Sequence, residues 1–157
     1  MSLLALFQWF EASPIGSAIK TSSWAFAVIE SVHLLGLALI GGILLIVNLR
    51  LLGLGLRRYP LTALSLDLRP WFGFSLVLML FTGFALFLSE AVKCYYSQPF
   101  WLKMLSLALA TTFTLTVQRR VIMSPQSSGF RQKTVAIVSL LLWFAVGAAG
   151  RWIGFSG

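Results

Sequence analysis

Charge is what this chain has least of. Asp, Glu, Lys and Arg make up 10% of its 157 residues, against about 25% in soluble domains. A water-soluble globular fold is therefore excluded. A single cysteine, Cys94, rules out an intramolecular disulfide and any cysteine-rich metal or iron–sulfur centre. A single histidine, His33, leaves too few nitrogen ligands for a multi-histidine metal site. No nucleophile motif, phosphate-cradling loop or paired-carboxylate metal site occurs, so a self-contained enzyme is not expected. What the chain does have is apolar length: 59% of it is hydrophobic and its mean hydropathy is +0.91.

The net charge of +8 invites a nucleic-acid reading. In a membrane protein, however, a Lys/Arg excess follows from orientation and anionic lipid alone. No soluble basic domain is present to display those charges, and no nucleic-acid partner is expected.

Four apolar runs are long enough to cross a bilayer, for which roughly 20 residues suffice. They cover about residues 24–47, 71–89, 100–117 and 134–152. The fold expected is thus an all-α integral membrane protein, a four-helix bundle forming one membrane domain over 1–157. An interfacial segment at 1–21 precedes it. There Leu3, Leu4, Leu6, Phe7 and Phe10 fall on one helical side, with Gln8 and Glu11 on the other. Ser13-Pro14 reads as an N-cap and first helical residue of a second short turn. Pro60 and Pro70 bracket a link in which Leu61–Leu68 is expected to form a separate surface helix.

Arg50, Arg57, Arg58 and Arg69 lie between spans one and two, and Arg119, Arg120, Arg131 and Lys133 between three and four. Lys20, Lys93, Lys103 and Arg151 lie toward the other side. This bias places the arginine-rich links on the cytoplasmic side of the membrane and both termini on the other side. Trp24, Trp71, Trp101 and Trp152 fall at span ends, as in an aromatic belt.

Glu30 and His33 are the residues that do not belong in such a helix. Counted from Trp24 at 1.5 Å per residue, they lie about 9 Å and about 14 Å deep. Their i, i+3 spacing puts both on one helix face. Ionisable groups at such depth are costly to insert and by default mark function. Lys103, Arg151, Glu90 and Lys93 approach from the same leaflet on the other helices. A shared outward-facing polar pocket is expected, with Glu30 paired to Lys103 or Arg151 and Glu90 to a remaining cation. Lys103 can instead snorkel to the headgroups, and the alternative for the Glu30–His33 pair is a structural hydrogen-bonded lock that fixes helix register. A haem b could take His33 as its metal ligand, with a second axial ligand from Met79, at similar depth, from another subunit or from a second copy of the chain. A quinone headgroup or proton-relay site built on Glu30 and His33 needs no further ligand. For copper, only His33, Cys94, Met79 and Met104 are candidates, and they are scattered in sequence.

The segments SSWAFAVIESVHLLGLALIGG (22–42), KCYYSQPFWLKMLSLALA (93–110) and LLLWFAVGAAGRWIGF (140–155) resemble a family of small uncharacterised bacterial inner-membrane proteins. That family is distantly similar to the copper-resistance D type of membrane domain. The resemblance carries its E-x-x-H pair onto Glu30 and His33, and its Phe-x-x-Lys onto Phe100 and Lys103. Its W-x6-G-R pattern falls on Trp143, Gly150 and Arg151. It implies that Glu30, His33, Lys103 and Arg151 form one site. The chain lacks the richer ligand set of copper-resistance D domains, so the resemblance implies architecture more than metal.

The function expected is a small inner-membrane subunit that binds a redox cofactor or quinone, or docks a redox partner. Other membrane or periplasmic subunits, or further copies of the chain, are the partners expected beside the lipid bilayer. The alternatives are a transporter element for a metal ion or small solute, and a structural assembly subunit without a ligand.

Overall fold

The computed structural model describes residues 2–56, 58–124 and 127–153. Among these residues every regular element is helical. Two short helices, α1 (Leu3–Glu11) and α2 (Pro14–Thr21), precede the first span, α3 (Ser23–Leu52). Span two is α4 (Leu61–Ser89), followed by the short α5 (Ala91–Tyr96). Span three runs from α6 (Gln98–Phe113) through a π-helical turn (Thr114–Gln118) into α7 (Arg119–Met123). Span four is α8 (Gly129–Ile153). Four of these helices are long and apolar enough to cross a membrane. Phe81 on α4 and Phe144 on α8 are each 75% exposed, so the bundle's outer face is of the kind that requires lipid as solvent.

The helices begin and end where the local chemistry requires. Ser13 Oγ accepts the Gly16 N–H at 3.1 Å and Pro14 occupies the first turn of α2, as expected. Ser22 Oγ caps α3 through the Ala25 N–H. Gly53, at φ 76°, closes the far end of α3 in the left-handed conformation.

Two boundaries differ from the sequence expectation. Leu61–Leu68 is no separate surface helix but the first two turns of α4, which continues through Pro70. The proline removes one amide donor, to the Leu66 carbonyl, and such a local loss is tolerated in long membrane helices. Span three also runs past residue 117 to Met123, because the π turn accommodates an extra residue without ending the helix.

α3 packs against α4 and α8, and α6 packs against α8. The packed core lies toward the arginine-rich end. One cluster joins Val47 and Leu51 to Val121, Ile122, Val135 and Ala136, and a second joins Ile40, Ile43 and Leu44 to Phe72. Between them sits a polar ring that the sequence reading did not single out. Asn48 Nδ2 donates to the Leu44 carbonyl (2.8 Å) and to Ser139 Oγ (3.2 Å). Gln118 Nε2 donates to Asn48 Oδ1 (3.1 Å), and Ser139 Oγ donates to Gln118 Oε1 (3.1 Å). All three side chains are buried, and they tie together α3, the π turn and α8.

At the opposite end α1 and α2 form a collar. Phe7 is buried among Phe87, Tyr95, Phe100 and Trp101. Glu11, expected on a solvent-facing side, instead accepts the Val92 N–H of α5 at 2.8 Å and pairs with Lys20 of α2. Gly16 lies so close to the end of α4 that an added Cβ would sit 2.6 Å from the Leu88 carbonyl oxygen.

Candidate functional site

The half of the bundle nearer the collar is hollow. A largely apolar cavity of about 460 Å³ lies between α4 and α6, with walls that include Leu80, Phe84, Phe100, Trp101 and Met104. Phe7 closes it on the collar side and Trp143 of α8 lies at its back. A second, more polar cavity of about 250 Å³ lies beside it. Glu30, Glu90, Lys93, Lys103 and Arg151 all line this second space. His33 and Lys103 line both cavities, so these two side chains stand at the junction of an apolar chamber and a polar one.

His33 is positioned by α4. Its Nδ1 lies 2.8 Å from Thr82 Oγ1, while the Thr82 hydroxyl is 2.7 Å from the Leu78 carbonyl one turn back. That carbonyl can only accept, so the Thr82 proton goes to it and Oγ1 offers its lone pair to the imidazole. Nδ1 then carries the ring proton of a neutral His33, and Nε2 is left as an acceptor. Gly83 makes room for the ring: a Cβ there would lie 3.3 Å from His33 Cε1.

Lys103 crosses to the fourth span. A Cβ on Gly150 would lie 3.6 Å from its Cε and Nζ, so the lysine lies along the surface that this glycine leaves bare. The sequence reading offered a snorkelling anchor or a site residue, and the side chain is half-buried in the walls of both cavities.

Of the two carboxylate pairings expected, the one for Glu90 is met and the one for Glu30 is not. Glu90 pairs with Lys93 on its own side of the bundle, at 3.8 Å. Glu30 lies in the wall of the polar cavity, exposed, and makes no ion pair among the described residues. Glu30 and Lys103 line the same cavity from different helices without forming an ion pair. Arg151, in the last turn of α8, lines the same cavity.

Met79 also lines both cavities, but its sulfur packs on α3, 3.1 Å from where a Gly36 Cβ would be. Cys94 is buried and lines the polar cavity. Burial first, and the Glu90 carboxylate second, push its thiol up to about 11, so it is protonated at neutral pH. Among the described residues no three His, Cys, Asp or Glu side chains cluster as a metal site.

Thr82, Gly83 and Trp143 are the positions that the sequence reading did not assign to the site's geometry. Thr82 and Gly83 had a signal of a kind, a small polar residue and a gap one after the other on an otherwise bulky helix. Only the packing of α4 against α3 shows which neighbour they serve.

Residues 6–156 match the model of a family of unknown function (DUF6644), and the chain belongs to that family. No curated protein and no solved structure matches it.

Proposed function

We propose that this DUF6644 member is an inner-membrane subunit that binds an isoprenoid quinone or quinol, with the collar end facing away from the cytoplasm. One observation carries the reading: His33 and Lys103 stand where an apolar chamber opening between two spans meets a polar cavity. A ligand with a polar ring and an apolar tail fits that division. The Lys103 ammonium donates to a quinone carbonyl, and His33 Nε2 accepts from a quinol hydroxyl. Glu30 and Arg151 give the headgroup a polar route toward water. Electrons reach or leave the ligand through a partner redox subunit, which makes the protein one part of a larger complex. This reading asks for no axial ligand pair, whereas haem b ligated twice by this chain would need the Met79 sulfur, which packs against Gly36 of α3.

The second reading is passage of a metal ion, copper(I) by the character of the side chains present. His33, Met79 and Cys94 lining one cavity favours it. The buried, protonated Cys94 weighs against it, since a thiol must lose its proton to hold the metal.

Protein purified in mild detergent separates the readings. Solvent extraction followed by liquid chromatography and mass spectrometry should recover quinone in amounts approaching one per chain. A decyl-chain quinone should quench tryptophan fluorescence saturably, because Trp101 and Trp143 line the chamber. Absence of extractable quinone and linear, non-saturating quenching would overturn the proposal. Stoichiometric copper(I) binding lost on Cys94→Ser would favour the second reading instead.

A further inference from the structure

The arginine-rich end holds a separate cavity, about 90 Å³, between α4 and the π turn with α7, floored by α3. Its floor is apolar, with Ile43, Leu44 and Val47 of α3, and Phe72 of α4 adds an apolar wall. Beside Thr114, which accepts from Trp143, and Gln118 of the polar ring, it is lined by Ser65 and Arg69, one turn apart on the same face of α4, and by Arg119 at the start of α7. Arg69 and Arg119 form no ion pair with any described residue, and the Ser65 hydroxyl makes no hydrogen bond with one. Of the chain's 4 acidic residues only Asp67 belongs to this end. It stands two positions from Arg69, turned to another side of the helix, and does not line the cavity.

We infer that this groove is a binding site for an anionic glycerophospholipid. The two guanidiniums and the hydroxyl hold the phosphodiester, and an acyl chain lies on the apolar floor. Guanidinium groups suit phosphate because they present paired donors in a fixed fork. A basic pocket between spans on the cytoplasmic side is the type of place where anionic headgroups bind. The site is distinct from the His33 cavities and does not depend on the quinone reading.

The test is thermal unfolding in a nonionic detergent with added dioleoylphosphatidylglycerol, with dioleoylphosphatidylcholine, or with inorganic phosphate. Phosphatidylglycerol should raise the melting temperature by several degrees, in a manner that sodium chloride diminishes, while the other two additions do little. The R69Q/R119Q double variant should lose most of that rise, whereas R131Q/K133Q, which removes equal charge at the same end, should keep it. Should the double Gln variant fold poorly, R69K/R119K preserves charge without the fork and should show a reduced rise. An equal rise in both double Gln variants would overturn the site. So would an equal rise with phosphatidylcholine, and a rise reproduced by inorganic phosphate would reassign the groove to free anion.

Discussion

At the arginine-rich end, Asn48, Gln118 and Ser139 bond one another in a ring that leaves almost nothing exposed. At the collar end, His33 and Lys103 line two cavities and Glu30 one of them, and of the three only His33 has a hydrogen-bonded partner among the described residues. Both are polar layers inside an apolar bundle. In the first, every side chain is satisfied by another, and the surrounding aliphatic residues close over it. In the second, the surrounding aromatics hold a space open. Polarity within a membrane helix therefore does not by itself mark a ligand site. What separates the two layers is whether the polar groups are consumed by one another or left facing a cavity.

That comparison can be broken at the ring first, where the largest stability effect is expected. Asn48→Leu removes the acceptor of Gln118 Nε2 and one donor to Ser139. Leaving buried polar atoms unpaired costs about 1–3 kcal/mol, while membrane-buried hydrogen bonds average nearer ~0.6 kcal/mol in direct measurements. A clear fall in melting temperature is expected, with quinone affinity per folded molecule unchanged. The triple variant Asn48→Leu, Gln118→Leu, Ser139→Ala should regain part of the loss, because no unpaired partner remains. A loss in the triple variant equal to the sum of three single losses would show that the ring's members act independently.

At the hollow end the largest effect should fall on binding instead. His33→Gln should weaken decyl-quinone binding by about tenfold, the loss of roughly one hydrogen bond, with little change in melting temperature. Thr82→Val removes the acceptor that holds the Nδ1 proton and frees the ring to reverse its tautomer. A smaller loss, several-fold, is expected, read in the same fluorescence titration. Binding unaffected by Thr82→Val would separate the imidazole's orientation from its role.

How much of this was readable from residues alone follows from the same contrast. The four spans were legible because charge and sustained apolar length stand out against each other. The ring was not, because Asn48 and Gln118 are uncharged and sit near span ends, where polar residues are ordinary. The Glu30 pairing was misjudged for a related reason: sequence gives depth along each helix but not the gap between helices. Thr82 and Gly83 look like any small residues until α3 is packed against them. The clip at Glu11 escaped because its partner is a backbone N–H, which no residue pattern reveals.

That clip gives the smallest of the expected effects. Burial would raise the Glu11 carboxyl, but the Lys20 ammonium and the Val92 N–H outweigh it and hold it below its ordinary value. A depressed carboxyl stabilises the folded state above its unfolded pKa, and the contribution is lost as pH falls through the folded one. The collar should therefore loosen in acid, below about pH 4, detectable as increased proteolysis between α1 and α3. Glu11→Gln should abolish that pH dependence. An acid-induced release that persists in Glu11→Gln would assign it to another group.

The central claim is that the polar layer of the hollow end serves a ligand and that of the packed end serves the fold. The most direct measurement titrates decyl quinone into wild type, His33→Gln and Asn48→Leu by tryptophan quenching, with the melting curve of each sample recorded alongside. The account predicts a crossed result: His33→Gln loses affinity and keeps its melting temperature, while Asn48→Leu melts early and binds normally while folded. Parallel behaviour, with both variants losing binding only in proportion to folded protein, would contradict it.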